Sequence, residues 1–146
     1  MPVSQTPPRL LSTYLLVIDL QMLLYWALAC IRALGAADLP DEHLYADYEA
    51  PLMVAWNWSF LPMDIVLSAT GLVAVYRRRA GLSWRGLAAF SLALTFCAGL
   101  MAISFWAIRR EFSWLWWGAN MVYVLGPIWF LPKLGTDRAP DLAPAS

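Results

Sequence analysis

The stretch from Leu10 to Leu34, LLSTYLLVIDLQMLLYWALACIRAL, decides the class of this protein, because only Asp19 and Arg32 carry charge in it. At about 1.5 Å of rise per residue, a helix of this length crosses a hydrocarbon core of about 30 Å. Its apolar positions show no period-two alternation, and an open sheet edge cannot satisfy its backbone in lipid, so the stretch reads as a helix. It is too long for a signal-peptide core. Ala27 also stands where a lipoprotein cleavage box ending in Leu28-Ala29-Cys30 needs a larger aliphatic residue.

Three further stretches have the same character: Pro51 to Tyr76, Trp84 to Ile108 and Phe112 to Leu134. The expected fold is therefore all-α, an integral membrane four-helix bundle occupying 10–134 as a single domain. The flanking segments 1–9 and 135–146, rich in proline and polar residues, are expected to be disordered tails. Short connections at Arg77 to Ser83 and Arg109 to Glu111 make consecutive helices antiparallel neighbours.

Composition supports this class. Of 146 residues, 61% are hydrophobic and 14% charged, which exceeds the apolar share of soluble domains. Ten basic and ten acidic residues cancel, so no basic surface for nucleic acid is expected. Cys30 and Cys97 fall in different apolar stretches at different depths and are not expected to pair.

Charge position sets the expected orientation. Arg9, Arg77, Arg78, Arg79, Arg85, Lys133 and Arg138 lie on one side, and Arg32, Arg109 and Arg110 on the other. The first group marks the inner face, which gives an N-in/C-in, multi-pass protein of a bacterial cytoplasmic membrane. The Arg77-Arg78-Arg79 run reads as a topology and anionic-lipid anchor. Trp114, Trp116 and Trp117 read partly as an interfacial belt.

Asp19 and Asp64 interrupt the first two stretches, where a buried acid costs at least about 2.5 to 3.5 kcal/mol. Counting rise from the inner ends puts Asp19 about 14 Å deep and Asp64 about 18 Å deep. Thr95 and Tyr123 fall at nearly the same level, with Asn120 slightly further out. At about 100° per residue, Asp64 shares a face with Asn57, Phe60, Ser68 and Gly71, and Asp19 with Trp26. Ser91, Thr95, Gly99, Ala102 and Trp106 share another face, whose small residues allow close backbone approach. The expected site is a chamber lined by Trp26, Asn57, Phe60, Trp106, Trp116 and Asn120, with Thr95 and Tyr123, above a floor made by the two aspartates.

A plainer role competes with this one. Intramembrane polar residues often serve as interhelical glue worth about 0.6 kcal/mol each, and Asn57, Ser68, Thr95 and Asn120 fit that role. The aspartates are an expensive way to obtain the same hydrogen bond, which favours function for them. His43, beside Asp41, Glu42 and Asp47, lacks metal-ligand spacing and reads as part of a solvated loop. The sequence carries no phosphate-binding loop, dinucleotide fingerprint, zinc-spaced cysteine pair or Ser-His-Asp set, so neither metal nor cofactor is expected.

Several segments together resemble a known family: Ala55-Trp56-Asn57-Trp58-Ser59-Phe60 with Pro62 and Asp64, Leu67-Ser68-Ala69-Thr70-Gly71, and Leu94-Thr95-Phe96-Cys97-Ala98-Gly99-Leu100. To these belong Ile103-Ser104-Phe105-Trp106-Ala107-Ile108-Arg109, Trp116-Trp117 and Phe130-Leu131-Pro132-Lys133-Leu134. The pattern is similar to the YvaD-like family of small bacterial four-helix membrane proteins across Tyr14 to Leu134. That resemblance implies the architecture and assigns no activity. In layout alone the chain also resembles the EXPERA group, which includes sterol isomerases. It lacks the intramembrane histidine and second-helix glutamate of those enzymes, so the likeness implies only that such a bundle holds an apolar ligand.

The favoured expectation is binding, or acid/base conversion of isomerase or cyclase type, of a hydrophobic small molecule or lipid. Asp64 would act as general acid, Asp19 as its partner or base, and the ring faces would stabilise positive charge. One alternative is an assembly subunit whose polar layer fixes helix register. Another is a proton-coupled transporter, which with four helices would have to work as a homodimer.

Overall fold

The computed structural model describes residues 8–36, 47 and 50–136, and their secondary structure is entirely helical. The expected loop residues Asp41, Glu42 and His43, the basic Arg138 and most of both tails lie outside the described residues. The helices are α1 (Pro8–Ala33), α2 (Pro51–Trp58), α3 (Leu61–Arg79), α4 (Arg85–Arg109) and α5 (Trp114–Thr136).

The expected second helix is divided into α2 and α3. Pro62 has no N–H to offer the carbonyl of Trp58, so the α-helical ladder fails there. The chain instead turns tightly: Phe60 N–H donates to Asn57 O at 3.1 Å, and Ser59 Oγ donates to Trp56 O at 2.6 Å. The ladder resumes with Asp64 N–H on Phe60 O at 2.9 Å. Ser59 and Phe60 keep right-handed helical dihedrals through the turn, so Asn57 stays on the face of Phe60 and Asp64.

Helix ends follow from local chemistry. After α1 and α3, Gly35 and Gly81 take φ of +68° and +70°, values that favour glycine. Behind Gly81, Leu82 N–H reaches Arg77 O at 2.8 Å, closing the last turn. After α4 the same stop is made by Arg110 at φ +58°, with Glu111 N–H on Trp106 O at 3.1 Å.

The elements pack in a ring: α1 against α3, α3 against α4, α4 against α5, with a thinner seam between α1 and α5. Glycine makes the close contacts. A Cβ on Gly99 would stand 2.7 Å from Tyr123 Cβ and 2.9 Å from Asn120 O, so α4 and α5 meet there backbone to backbone. A Cβ on Gly126 would overlap the ring of Tyr14, which closes one half of the α1–α5 seam. Tyr14 also meets the ring of Phe130 at a tilt, with centroids 5.1 Å apart, and donates to Val122 O at 3.2 Å.

An apolar core of Leu11, Leu15, Ala74, Val75, Ala88, Leu92 and Phe130 fills this end. The basic residues surround it: Arg78 donates to Ser12 Oγ and lies over Trp84, Arg85 faces the same ring, and Lys133 lies on Trp129. Among the described residues three helical segments are long and apolar enough to cross a membrane: Arg9–Ala33, Pro51–Arg79 and Arg85–Arg109. α5 is long enough, but Trp114, Trp116, Trp117, Trp129, Asn120 and two internal prolines lower its hydropathy. Cys30 and Cys97 are both free.

Candidate functional site

At the end of the bundle opposite Arg78, a cavity of about 140 Å³ lies between α1, the α2–α3 turn, α4 and α5. A cavity of about 150 Å³ is enough to hold benzene, which sets the scale of what fits without rearrangement. Its walls are mostly aromatic. Trp26 comes from α1, Trp56 from α2, Phe60 from the turn, Trp106 from α4, and Trp116 and Tyr123 from α5. The rings brace one another: Trp56 stacks on Phe105 at 4.1 Å, and Phe105 meets Trp106 edge to face at 5.4 Å.

The polar groups of the cavity are few and specific. Trp26 Nε1–H donates to Asp64 Oδ2 at 2.9 Å, inside the protein. Tyr25 Oη–H donates to Asn57 Oδ1 at 2.8 Å. Asp64 Oδ1 and Asn57 Nδ2 are buried without a hydrogen-bond partner. A buried polar group left unpaired costs about 1 to 3 kcal/mol, so these two atoms mark where the protein's own hydrogen bonding is incomplete. Asn120 Nδ2 is turned back onto Trp116 O at 2.8 Å, a bond within its own helix.

Arg109 anchors the rim. Its guanidinium lies over Trp106 and Phe105 at 5.4 and 5.7 Å, and pairs with Asp47 and Glu111 at 2.7 Å each. Its Nη1 also reaches Met53 Sδ of α2 at 3.2 Å. The end of α4 is thereby tied to α2 and to the segment before it.

Of the residues singled out in the sequence, Trp26, Asn57, Phe60, Asp64, Trp106, Trp116, Asn120 and Tyr123 converge on this one cavity. Thr95 and Asp19 do not line it. Thr95 is buried and bonds back to Ser91 O at 2.9 Å, in its own helix. Asp19 is fully buried, but its carboxylate lies against Gly71, whose missing Cβ leaves the space that Oδ2 fills. Gly71 is seven residues beyond Asp64, or about 10 Å along α3. The single acidic floor expected from depth is thus two separate positions, with Asp64 at the cavity and Asp19 beneath it. Both oxygens of Asp19, and the nearby hydroxyl of Ser68 on the same face of α3, have no partner.

The sequence reading missed Trp56, Gln21 and Tyr25 as lining residues. Trp56 stands four residues before Phe60 and meets its ring at 5.0 Å, so it enters on the same face by ordinary i, i+4 spacing. Gln21 and Tyr25 carried a usable signal, being polar-tipped residues one helical turn apart beside Trp26. Among the described residues no cluster of His, Cys, Asp or Glu is arranged to hold a metal.

The fold and this cavity define a small all-helical bundle with membrane-span composition and one acid set among aromatic rings. The chain belongs to a family of unknown function (DUF5360), whose profile matches residues 11–140. It is 37% identical over 127 residues to the uncharacterized protein YvaD of Bacillus subtilis (strain 168), an alignment covering 86% of this chain and 92% of YvaD. No solved structure matches it.

Proposed function

We propose that this chain is a multi-pass protein of the bacterial cytoplasmic membrane, with four crossings and both termini inside, that holds a small hydrophobic molecule over Asp64. Lipid contact is supported by the outward faces of the helices. Val17, Leu20 and Leu24 of α1, Leu100 and Met101 of α4, and Leu125, Ile128 and Trp129 of α5 are all exposed large apolar side chains. So many on one small domain suit hydrocarbon, not water. The inner face is supported by the basic end of the bundle, where Arg78, Arg85 and Lys133 lie on interfacial rings.

The observation that carries the site is Asp64 itself. One carboxylate oxygen is held by Trp26 and the other is unpartnered, beside an aromatic cavity. In the converting form of this reading, Oδ1 of Asp64 exchanges a proton with the ligand while the Trp26 N–H steadies the carboxyl. Asp19, which does not line the cavity, has no part in that exchange.

Native mass spectrometry of the protein taken gently from membranes tests the proposal. An apolar molecule should accompany the wild type and be lost from Trp106→Ala and Asp64→Asn. A bare wild-type protein overturns the reading.

One observation favours an assembly role alongside. Asp19 is fully buried at an interhelical contact with neither oxygen paired, which suits a residue that fixes helix register. The transporter alternative requires an oligomer, and cross-linking in native membranes tests it.

A further inference from the structure

Resting on the reading of this cavity as a ligand site, we infer that its ligand is a lipophilic monocation, an ammonium group carried on a small apolar or aromatic body. Three features converge on that chemistry. The first is the free oxygen of Asp64, a buried acceptor with no protein donor. The second is that no Lys, Arg or His lines the cavity among the described residues, so none of them gives the acid a counter-ion there. The third is the wall itself: Trp26, Trp56, Phe60, Trp106, Trp116 and Tyr123 present rings on several sides of one small space. Ring faces carry negative potential and bind cations most strongly where water is excluded.

The nearby cation does not fill this role. Arg109 lies over Trp106, but its guanidinium is engaged by Asp47 and Glu111 at 2.7 Å each. It does not line the cavity, and it leaves the carboxylate inside unanswered. A neutral apolar ligand would bury Asp64 Oδ1 still unpaired, and a neutral hydroxyl would pair it without using the rings. An ammonium uses both, donating to Oδ1 while its charge faces the aromatic walls. The cavity volume of about 140 Å³ accommodates a body of roughly one ring. Asn57 Nδ2 is then left for an oxygen elsewhere on the ligand or for water.

Three probes of nearly equal shape separate the possibilities: benzylamine, which is charged at neutral pH, benzyl alcohol and toluene. Each is dialysed against the full-length protein in nanodiscs, with empty nanodiscs subtracted. The inference expects benzylamine to bind more than about tenfold tighter than toluene, with benzyl alcohol between them. Asp64→Asn should erase that preference while toluene is still held, and Asp64→Glu should keep it. If Asp64→Asn does not fold, the wild-type order of the three probes decides alone. Toluene or benzyl alcohol binding as tightly as benzylamine overturns the ammonium ligand while leaving the cavity a ligand site. An undiminished amine preference in a folded Asp64→Asn protein also overturns it. Failure of all three probes to bind removes the ligand site itself, and this inference with it.

Discussion

The indole N–H of Trp26 on α1 stands 2.9 Å from Oδ2 of Asp64 on α3, a buried bond between residues 38 apart in the chain. It is the polar link that joins α1 to α3 at the cavity, and it leaves the other oxygen of the same carboxylate open. Trp26→Phe keeps an aromatic ring in the wall and removes the donor together with part of the indole. The expected loss of stability is about 1 to 3 kcal/mol, the cost of stranding a buried acceptor. Unfolding in detergent by a chemical denaturant measures it. In an Asp64→Ala background the same substitution should cost markedly less. Equal costs in both backgrounds would mean the two side chains do not interact.

At Gly99 the contact involves backbone, which cannot rotate away. A Cβ there meets Asn120 O at 2.9 Å and Tyr123 Cβ at 2.7 Å, so α5 itself must move. Gly99→Ala is expected to destabilise the bundle by about 1 to 3 kcal/mol. Asn120 and Tyr123 both line the cavity, so ligand retention in native mass spectrometry should fall as well. Gly118 supplies the control, since nothing lies within 4 Å of a Cβ built there. Gly118→Ala should be neutral or stabilising by up to about 1 kcal/mol, the gain in helix propensity.

Arg110 makes the turn out of α4 with a φ of +58°, where the corresponding exits of α1 and α3 use Gly35 and Gly81. A left-handed conformation costs an L-residue about 1 to 2 kcal/mol, part of which glycine returns as extra freedom in the unfolded chain. Arg110→Gly should therefore raise stability by about 0.5 to 1 kcal/mol. The side chain is exposed, so little packing is lost. A fall in midpoint on thermal unfolding would show that the arginine side chain contributes more than its backbone costs.

Much of the architecture was legible because length and apolar content leave few alternatives. The four stretches became helices with ends shifted by a few residues. The break between α2 and α3 was written in Pro62, but an unbroken apolar run on both sides concealed it. Eight of the ten expected site residues converge, since helical phase correctly gathers Asn57, Phe60 and Asp64 with the tryptophans. Depth alone misassigned Asp19 and Thr95. Counting rise along a helix fixes a level in the bundle, whereas the groove a side chain enters depends on where a neighbour lacks volume. For Asp19 that neighbour is Gly71, 52 residues away in the chain. Neither residue's own segment announces the pairing.

The pairing of Asp19 with Gly71 yields the sharpest prediction. An alanine Cβ at position 71 would overlap Asp19 Oδ2 and come within 2.8 Å of Ser91 Oγ. Gly71→Ala should therefore cost about 1 to 3 kcal/mol through overpacking, although alanine is the better helix former. Asp19→Ala removes the obstructing carboxyl, so Gly71→Ala should cost less in that background than in the wild type. The expected coupling is about 0.5 to 3 kcal/mol, read from a double-mutant cycle of denaturant unfolding. Asp19→Asn keeps the shape and should not relieve the clash. Because both Asp19 oxygens are unpaired, Asp19→Asn alone should leave stability equal or higher, an amide being cheaper to bury than a carboxylate. A drop of more than about 1 kcal/mol on Asp19→Asn would mean the carboxylate is held by a donor inside the bundle, such as a neighbouring hydroxyl.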